Sequence, residues 1–426
     1  MPIPDHPQRY ATVNELHARP FPAIEVPATA VYVAIKEPSH AQNRDRARDR
    51  AHLLALLDRH GSAHPQPGAT HFQGPIGRAE LKWESHTEFV TYTAFTRGVS
   101  ARPFDPAEAE VMPEDWLAEA PGRRLTSILI RVEPMPASED ELLRRVDGWF
   151  VPESLAVARV VDGAAVIAGD FRIDPAGHMR FAVFVAPGTG SRRVGRIVQR
   201  LCEIETYRAM SMLGLMRARE LGTRLNALDP QLSALVSGLD NAEPAPETAL
   251  HNLLTISAEL ESLAVQFSFR FGATAAYEAI VGQRIEVLRE ERVAGRQTFG
   301  EFMMRRYDPA MRTVKSAESR LEAMAERAER AAELLRTRVD VERSAQNQKL
   351  LESMDRRADL QLRLQRTVEG LSVVAISYYA VSLVSYLAAP LAKAAGWSKE
   401  GLTAALVLPV VLLVWLMVRR IRNHLH

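Results

Sequence analysis

Residues 370–392 read GLSVVAISYYAVSLVSYLAAPLA, and residues 401–418 read GLTAALVLPVVLLVWLMV. Neither run contains a charged side chain, and only the eight residues KAAGWSKE separate them. A bilayer core about 30 Å thick needs roughly 20 apolar residues as helix, so the first run is long enough and the second is just long enough. Two such adjacent runs predict a transmembrane helical hairpin rather than the buried core helix of a soluble protein.

The charges beside the two runs predict the orientation of this hairpin. The connecting loop carries only Lys393 and Lys399 as cations, whereas the outer flanks carry Arg356, Arg357, Arg363, Arg366, Arg419, Arg420 and Arg422. Positive charge is retained on the cytoplasmic side of membranes. We therefore expect a multi-pass protein in the lipid bilayer with cytoplasmic N- and C-termini, ending in a basic cytoplasmic tail at residues 419–426.

The residues before the hairpin predict a long helix. Residues 310–369 contain no Gly and no Pro, and a continuous helix of that length would reach about 90 Å. Apolar residues recur with the 3-4 spacing of a coiled-coil seam at Leu321, Met324, Ala328, Ala331 and Leu335. We expect a stalk that continues into the first span and supports self-association through long helices; a kinked helical hairpin is the alternative.

Residues 191–369 as a whole predict a helical or coiled-coil stalk region. Two interruptions are expected in it. Asp229-Pro230 predicts the end of one helix, and the prolines of residues 241–247 predict a linker.

Residues 1–190 have a different pattern, which predicts a mixed α+β cytoplasmic domain. Strand-like stretches alternate with helical ones, and Asp162-Gly163 between apolar runs is a strong hairpin signal. The predicted strands are residues 30–35, 78–83, 88–95, 125–132, 155–167 and 179–185, and the predicted helices are residues 42–59, 107–118 and 139–146.

Two polar segments of this domain are candidates for a ligand-binding site. They are NELHARPF at residues 14–21 and KWESHTEF at residues 82–89, which supply His17, Arg19, Lys82, Glu84, His86 and Glu88. In a strand, Glu84, His86 and Glu88 would share one face because side chains alternate with period 2. Such a row could ligate a divalent metal, although no cofactor is predicted. A solvated strand face, with His17 packing a turn, is the alternative.

A second, weaker candidate is an anion-binding turn before a helix, formed by Gly188, Gly190, Ser191, Arg192 and Arg193. The turn lacks the Lys-Ser or Lys-Thr pair of a phosphate-binding loop. A helix capped by the Ser191 side chain is therefore the favoured interpretation.

Composition and the remaining residues give no support to nucleic-acid binding, to an internal disulfide or to a catalytic site. A net charge of +1 gives no reason to expect nucleic acid as a partner, and the single Cys202 excludes an internal disulfide and fits a reducing compartment. The N-terminal residues lack a signal-peptide pattern. The histidines at positions 6, 40, 52, 60, 64 and 71 have no ligand spacing, so we expect them in loops and on the surface. No catalytic set is visible, which favours a non-enzymatic role.

Four segments resemble a bacterial family of membrane-anchored proteins of unknown function. They are NELHARP, KWESHTEF, LCEIETYRAM at residues 201–210 and SMDRRADLQLRLQRTVEGLSVVAISYY at residues 353–379. The resemblance implies a bacterial inner-membrane protein and brings no known activity or catalytic residues. The layout of domain, long helix, two spans and basic tail is also similar to that of CorA-type magnesium channels. The corresponding stretch, YLAAPLAKAAGW, lacks their Gly-Met-Asn signature.

Three functions are consistent with the sequence. The first is a membrane-anchored scaffold or interaction protein, which the long helices favour. The second is an oligomeric ion channel or transporter, for which charged residues within the spans are missing. The third is a membrane-bound enzyme that uses the region of His17 and His86.

Overall fold

The computed structural model describes residues 3–10, 12–13, 21–38, 44–238, 245–394, 396 and 398–424. The chain divides into two compact units. The first contains Met1–Asp240 and His251–Ala331, and the second contains Asn241–Leu250 and Ala332–His426. Each unit is described by itself below.

A mixed nine-stranded sheet forms the centre of the first unit. The spatial order is β2-β3-β4-β1-β5-β8-β7-β6-β9, and neighbouring strands are antiparallel except for the parallel pair β5 and β8. The strands are β1 Ala28–Lys36, β2 His71–Ile76, β3 Ala79–Ser85, β4 Phe89–Arg97, β5 Arg123–Pro134, β6 Ala156–Val160, β7 Ala165–Ile173, β8 Met179–Val185 and β9 Glu291–Arg292.

Alternation along the strands gives the sheet two different faces. In β1, Val31, Val33 and Ile35 belong to a buried apolar cluster on the first face, so the intervening Tyr32 and Ala34 point to the second face. The first face is covered by α1 (Arg46–Arg59), a 3₁₀ helix (Pro106–Val111), α2 (Glu114–Ala118) and α3 (Glu139–Trp149), which contribute apolar residues to the same cluster.

The second face is covered by helix α4 (Ser191–Ser237), which contacts β1, β5 and β8. Its residue before the first turn is Gly190, which makes no side-chain capping bond, so the predicted cap by Ser191 is wrong. The chain continues through α5 (Pro246–Glu286) and α6 (Phe299–Arg306).

Helix α4 does not end at Asp229-Pro230, and that prediction is wrong. Leu228 and Leu232 are buried on either side of the proline, and the Gln231 Nε2 donates to the carbonyl of Ala227 at 3.0 Å. Arg320 Nη2 donates to Asp229 Oδ2 at 3.0 Å, and Arg327 also donates to this carboxylate. These tertiary contacts offset the missing backbone donor of Pro230.

A single helix of 87 residues, α7 (Asp308–Ala394), contains the predicted stalk and the first apolar run. The prediction of a continuous helix is therefore confirmed, and the helical-hairpin alternative for residues 310–369 is wrong. The last helix is α8 (Lys399–His424), which contains the second run. Together with the sheet domain, these helices confirm the predicted α+β domain, long helix and C-terminal apolar helix.

In the part of the chain that the structure describes, two helices are long and apolar enough to cross a membrane, judged by length and composition. They contain the two runs quoted above. Only 6% of the most apolar window of either helix is buried inside the chain. Large apolar side chains therefore remain exposed along both runs, such as Leu387, Leu391 and Leu408.

Candidate functional site

A cavity of about 240 Å³ lies in the first unit, between the second face of the sheet and helix α4. The floor is formed by strands β3 and β4, and Phe21 and α5 complete the wall. The lining side chains are Phe21, Tyr32, Lys82, Glu84, His86, Phe89, Thr91, Thr93, Phe95, Val198, Gln199, Cys202, Glu203, Thr206, Tyr207 and Arg284.

The floor of this cavity is polar although helix α4 covers it. In the strand register Lys82 lies opposite Thr93, and Glu84 lies opposite Thr91, so these four side chains share the second face. The first face of the same two strands is apolar and includes Trp83 and Tyr92. Burying polar side chains without solvent is unfavourable unless they are paired. On these two strands the second face therefore needs polar partners for its side chains, whereas the first face packs into the apolar core.

A chain of hydrogen bonds joins the floor to the two helices. Lys82 Nζ donates to Gln199 Oε1 at 3.0 Å and lies 3.2 Å from Glu84 Oε2. Gln199 Nε2 donates in turn to Glu203 Oε1 at 2.8 Å, and Arg284 from α5 donates to the other oxygen of Glu203. The two cations and two carboxylates balance one another, so the cavity is polar without a large net charge.

The deeper wall carries hydroxyl and thiol groups that are held in their neutral forms. Tyr32 Oη and Thr206 Oγ1 are 2.6 Å apart, and burial raises the pKa of Tyr32. Burial likewise raises the pKa of the Cys202 thiol well above its usual range. A thiol that stays protonated is a poor nucleophile. The cavity is consequently better suited to binding than to thiol chemistry.

His86 lies in the turn between β3 and β4 and not on a strand, because β3 ends at Ser85. The His86 amide donates to the carbonyl of Phe89 at 2.9 Å, and the two rings stack with centroids 4.4 Å apart. Arg44 fixes this turn by donating to Ser85 Oγ at 2.9 Å and to the His86 carbonyl at 2.7 Å. The predicted row of Glu84, His86 and Glu88 on one strand face is therefore wrong.

Glu88 belongs to a different cluster. It is 1% exposed, accepts a hydrogen bond from Tyr277 Oη at 2.8 Å and forms a two-pronged ion pair with Arg270. Lys36 Nζ lies 3.9 Å from the same carboxylate, and burial, with Arg270 nearby, lowers the Lys36 pKa. These contacts connect the turn to α5 and β1. Glu88 thus holds the turn against α5 and β1, whereas Lys82 and Glu84 line the cavity.

The remaining candidates are only partly located. His17 and Arg19 lie outside the described residues, whereas Phe21, the last residue of NELHARPF, lines the cavity. Within the described part of the chain, no group of three or more His, Cys, Asp or Glu side chains is placed to hold a metal ion. A divalent-metal site stays a prediction.

The second candidate, at the turn before α4, is separate from the lining of the cavity. The amides of Arg193 and Val194 donate to the carbonyl of Gly190 at 2.9 and 3.2 Å, as expected of a helix start. Arg192 and Arg193 are exposed, as are Gly188 and Gly190, while Ser191 is half-buried. Anion binding at this turn stays a prediction.

Two of the described histidines differ from the expectation of loop and surface positions: His71 begins strand β2, and His52 lies in the core. His52 is buried in α1, with Nδ1 3.1 Å from Tyr92 Oη and Nε2 2.9 Å from the carbonyl of Trp116. Its ring stacks on Trp116, and burial lowers its pKa. His52 is therefore a core residue on the first face of the sheet.

Sequence reasoning missed the residues that α4 and α5 bring to the cavity. Gln199 and Arg284 come from parts of the chain more than 100 residues away from Lys82. One signal was available, because the stretch LCEIETYRAM contains Cys202, Glu203 and other lining residues.

A family model described as "Protein of unknown function (DUF3422)" matches residues 4–425. The chain belongs to this family. The match covers the sheet domain, the cavity and both apolar helices, so the predicted resemblance to a family of unknown function is confirmed. No curated protein and no solved structure matches the chain. Membrane anchoring and the layout similarity to CorA-type channels stay predictions.

Proposed function

We propose that this is a membrane-anchored binding protein, in which the apolar hairpin holds the chain in a bilayer and the sheet domain binds a small polar ligand. The observation that carries the proposal is the polar cavity on a covered face of the sheet. Small-molecule sites are typically concave, with a few convergent polar groups among apolar and aromatic walls. This cavity combines Lys82 and Glu203 with the rings of Phe89 and Tyr207.

The charge balance of the cavity favours a ligand without large net charge. A strongly charged ligand would leave one of the paired groups without its partner, which is costly in a buried site. Lys82 has three ammonium donors and contacts two acceptors, Gln199 and Glu84, among the described residues. The remaining donor is suited to a hydroxyl, carbonyl or carboxylate oxygen of the ligand.

The membrane part of the proposal is supported by the two exposed apolar helices. An exposed apolar surface of this extent marks a membrane or protein contact. The flanking arginines support a cytoplasmic location of both termini. The bacterial inner membrane is proposed from the resemblance of the four segments quoted above. Proteolysis of inside-out and right-side-out vesicles tests this orientation, and protection of the sheet domain in inside-out vesicles would contradict it.

Self-association through α7 is also proposed, because Leu350, Met354 and Leu364 are each more than half exposed on it. The oligomeric state of the full chain in a mild detergent tests this. A strictly monomeric chain would contradict the proposed self-association and would leave the proposed ligand binding in the cavity unaffected.

The binding function is tested by thermal shift of the purified full chain against a panel of small polar and zwitterionic metabolites. Each compound that raises the melting temperature is then titrated by calorimetry against three proteins: the wild type, Glu203→Gln and Lys315→Met. Glu203→Gln changes the hydrogen-bond chain of the cavity. Lys315→Met is the matched control, because Lys315 is an exposed residue that pairs with Glu278 elsewhere in the first unit.

We expect Glu203→Gln to weaken binding about tenfold, which is about 1.4 kcal/mol, because it removes the carboxylate that holds Gln199 and Arg284 in place beside Lys82. Lys315→Met is expected to bind like the wild type. A panel without any stabilising compound, or equal affinities in all three proteins, would contradict the proposal.

A further inference from the structure

A second cavity, of about 440 Å³, lies within the second unit, between the end of the stalk part of α7 and the last turns of α8. It is lined by Arg366, Glu369, Gly370, Val373, Trp415, Val418 and Arg419. None of these residues takes part in the ligand cavity of the sheet domain.

The sequence places this cavity at the polar end of both apolar runs. Gly370 is the first residue of the first uncharged run, and Val418 is the last residue of the second. The lining therefore changes from charged to apolar side chains within one cavity. If the runs cross a bilayer, this boundary lies at the level of the lipid headgroups.

The polar side of the cavity is cationic. Its lining contains two cations, Arg366 and Arg419, and one carboxylate, Glu369, which accepts a hydrogen bond from Gln365 Nε2 at 3.1 Å. The Arg419 guanidinium lies 5.0 Å from the ring centre of Trp415. Stacking on an aromatic ring orients a guanidinium, and tryptophan is enriched at the headgroup level of membranes.

We propose that this cavity binds the phosphate headgroup of an anionic phospholipid, an inference that rests on the proposed membrane anchoring. Arg366 and Arg419 donate to the phosphate oxygens, since the planar guanidinium fork matches phosphate geometry. The acyl chains pack along the apolar side at Val373 and Val418. A lipid with a net negative headgroup is favoured because a choline or ethanolamine group would add a cation beside two arginines.

The test uses the full chain in nanodiscs of phosphatidylcholine alone or of phosphatidylcholine mixed with phosphatidylglycerol in equal amounts. Lipids that stay bound after gentle release from the nanodisc are counted by native mass spectrometry. The variant is Arg366→Gln/Arg419→Gln. The matched control is Arg420→Gln, since Arg420 neighbours Arg419 on the same helix and is absent from the lining of the cavity.

We expect phosphatidylglycerol to be enriched on the wild type and on Arg420→Gln, and the double variant to lose this enrichment about tenfold. Soluble glycerol phosphate is expected not to compete, because it lacks acyl chains for the apolar side. Equal enrichment on all three proteins would overturn the proposal, as would an equal loss on Arg420→Gln. Competition by glycerol phosphate would overturn the assignment to a lipid.

Failure of this inference is distinguishable from failure of membrane anchoring. A chain that alkaline carbonate releases from membranes is not anchored, and both proposals would then be wrong. A chain that stays in the membrane pellet but shows no preference for phosphatidylglycerol contradicts only the headgroup site.

Discussion

Replacing Glu88 with alanine removes a buried carboxylate on which three partners converge. Arg270 and Tyr277 bond to it, and Lys36 Nζ lies 3.9 Å away. Removing one partner of a buried ion pair costs about 3–5 kcal/mol, because the remaining charge is buried without a counter-ion. The Lys36 and Arg270 side chains are only 7% and 13% exposed, so water offsets little of this cost. We therefore expect Glu88→Ala to lower the free energy of unfolding by at least about 3 kcal/mol.

The assay is heat unfolding of the purified full chain in a mild detergent, followed by tryptophan fluorescence. Trp83 and Trp116 are fully buried in the sheet domain and report on its unfolding. For a unit of about 320 residues, about 3 kcal/mol corresponds to a fall in melting temperature of roughly 4–5 °C. Glu80→Ala is the control, because Glu80 is exposed on β3 and accepts a bond from the exposed Gln73. Its effect is expected within about 0.5 kcal/mol.

The double variant Glu88→Ala/Arg270→Met tests the cause. It removes the unpaired guanidinium, so part of the lost stability is expected to return. If Glu88→Ala were no less stable than Glu80→Ala, the ion pair would not hold the turn, and the reasoning would be refuted. A stable Glu88→Ala protein that had lost ligand binding would return Glu88 to the ligand-binding residues.

Three further predictions concern the first unit. A Cβ at Gly195 would lie 1.8 Å from the carbonyl oxygen of Pro22, so Gly195→Ala is expected to cost about 1–3 kcal/mol in heat unfolding. Gly222→Ala in the same helix meets open space and is expected to stabilise by about 0.5–1 kcal/mol; the same sign for both variants would contradict this. Burial lowers the pKa of His52, so the unfolded state binds more protons than the folded state below about pH 6.5. The free energy of unfolding therefore decreases as the pH is lowered, by at most about 1.4 kcal/mol per pH unit. His52→Gln should flatten this slope in urea unfolding between about pH 7 and pH 5, and an unchanged slope would assign the effect to other groups. Cys202 is buried and protonated, so maleimide should label it only on unfolding, and rapid labelling of the folded chain would be evidence against this.

The features that the sequence predicts correctly are those encoded locally. Asp162-Gly163 marks the β6–β7 hairpin because the turn needs positive φ, and Val161, Asp162 and Gly163 have φ of 53°, 57° and 78°. The long helix α7 follows from the absence of Gly and Pro over residues 310–369. Both signals act within a few residues and need no knowledge of distant partners.

The missed elements depend on position in the fold. Strand β2, HFQGPI, contains Gly74 and Pro75 and was not predicted because these residues are rare in strands. It lies at one edge of the sheet, where a residue without an amide donor is tolerated. Pro230 is a similar case in a helix. The ion pairs of the neighbouring Asp229 are made with arginines about 90 residues later in the chain, so local sequence does not show that the helix continues.

The candidate site was predicted only in part, because some of its residues are neighbours in sequence and others are brought together only by the fold. Lys82, Glu84 and His86 were identified from one short segment, and all three line the cavity. Glu88 was assigned to the same row because strand alternation was extended through the turn. Gln199 and Glu203 were not assigned to the site because their proximity to Lys82 is a consequence of how α4 crosses the sheet.

The polar groups of the apolar helices bear on whether the hairpin anchors the chain or forms a pore. Ser372 Oγ donates to the carbonyl of Val368 in its own helix at 2.8 Å, which satisfies the hydroxyl without water. Ser377 and Val414 are the buried residues in the described parts of the two runs. Small residues such as serine allow membrane helices to approach closely. Intramembrane ion pathways are usually marked by charged side chains, and the two runs contain none. The uncharged runs therefore lead us to predict packing rather than conduction, and cation flux through liposomes that contain the full chain would contradict this.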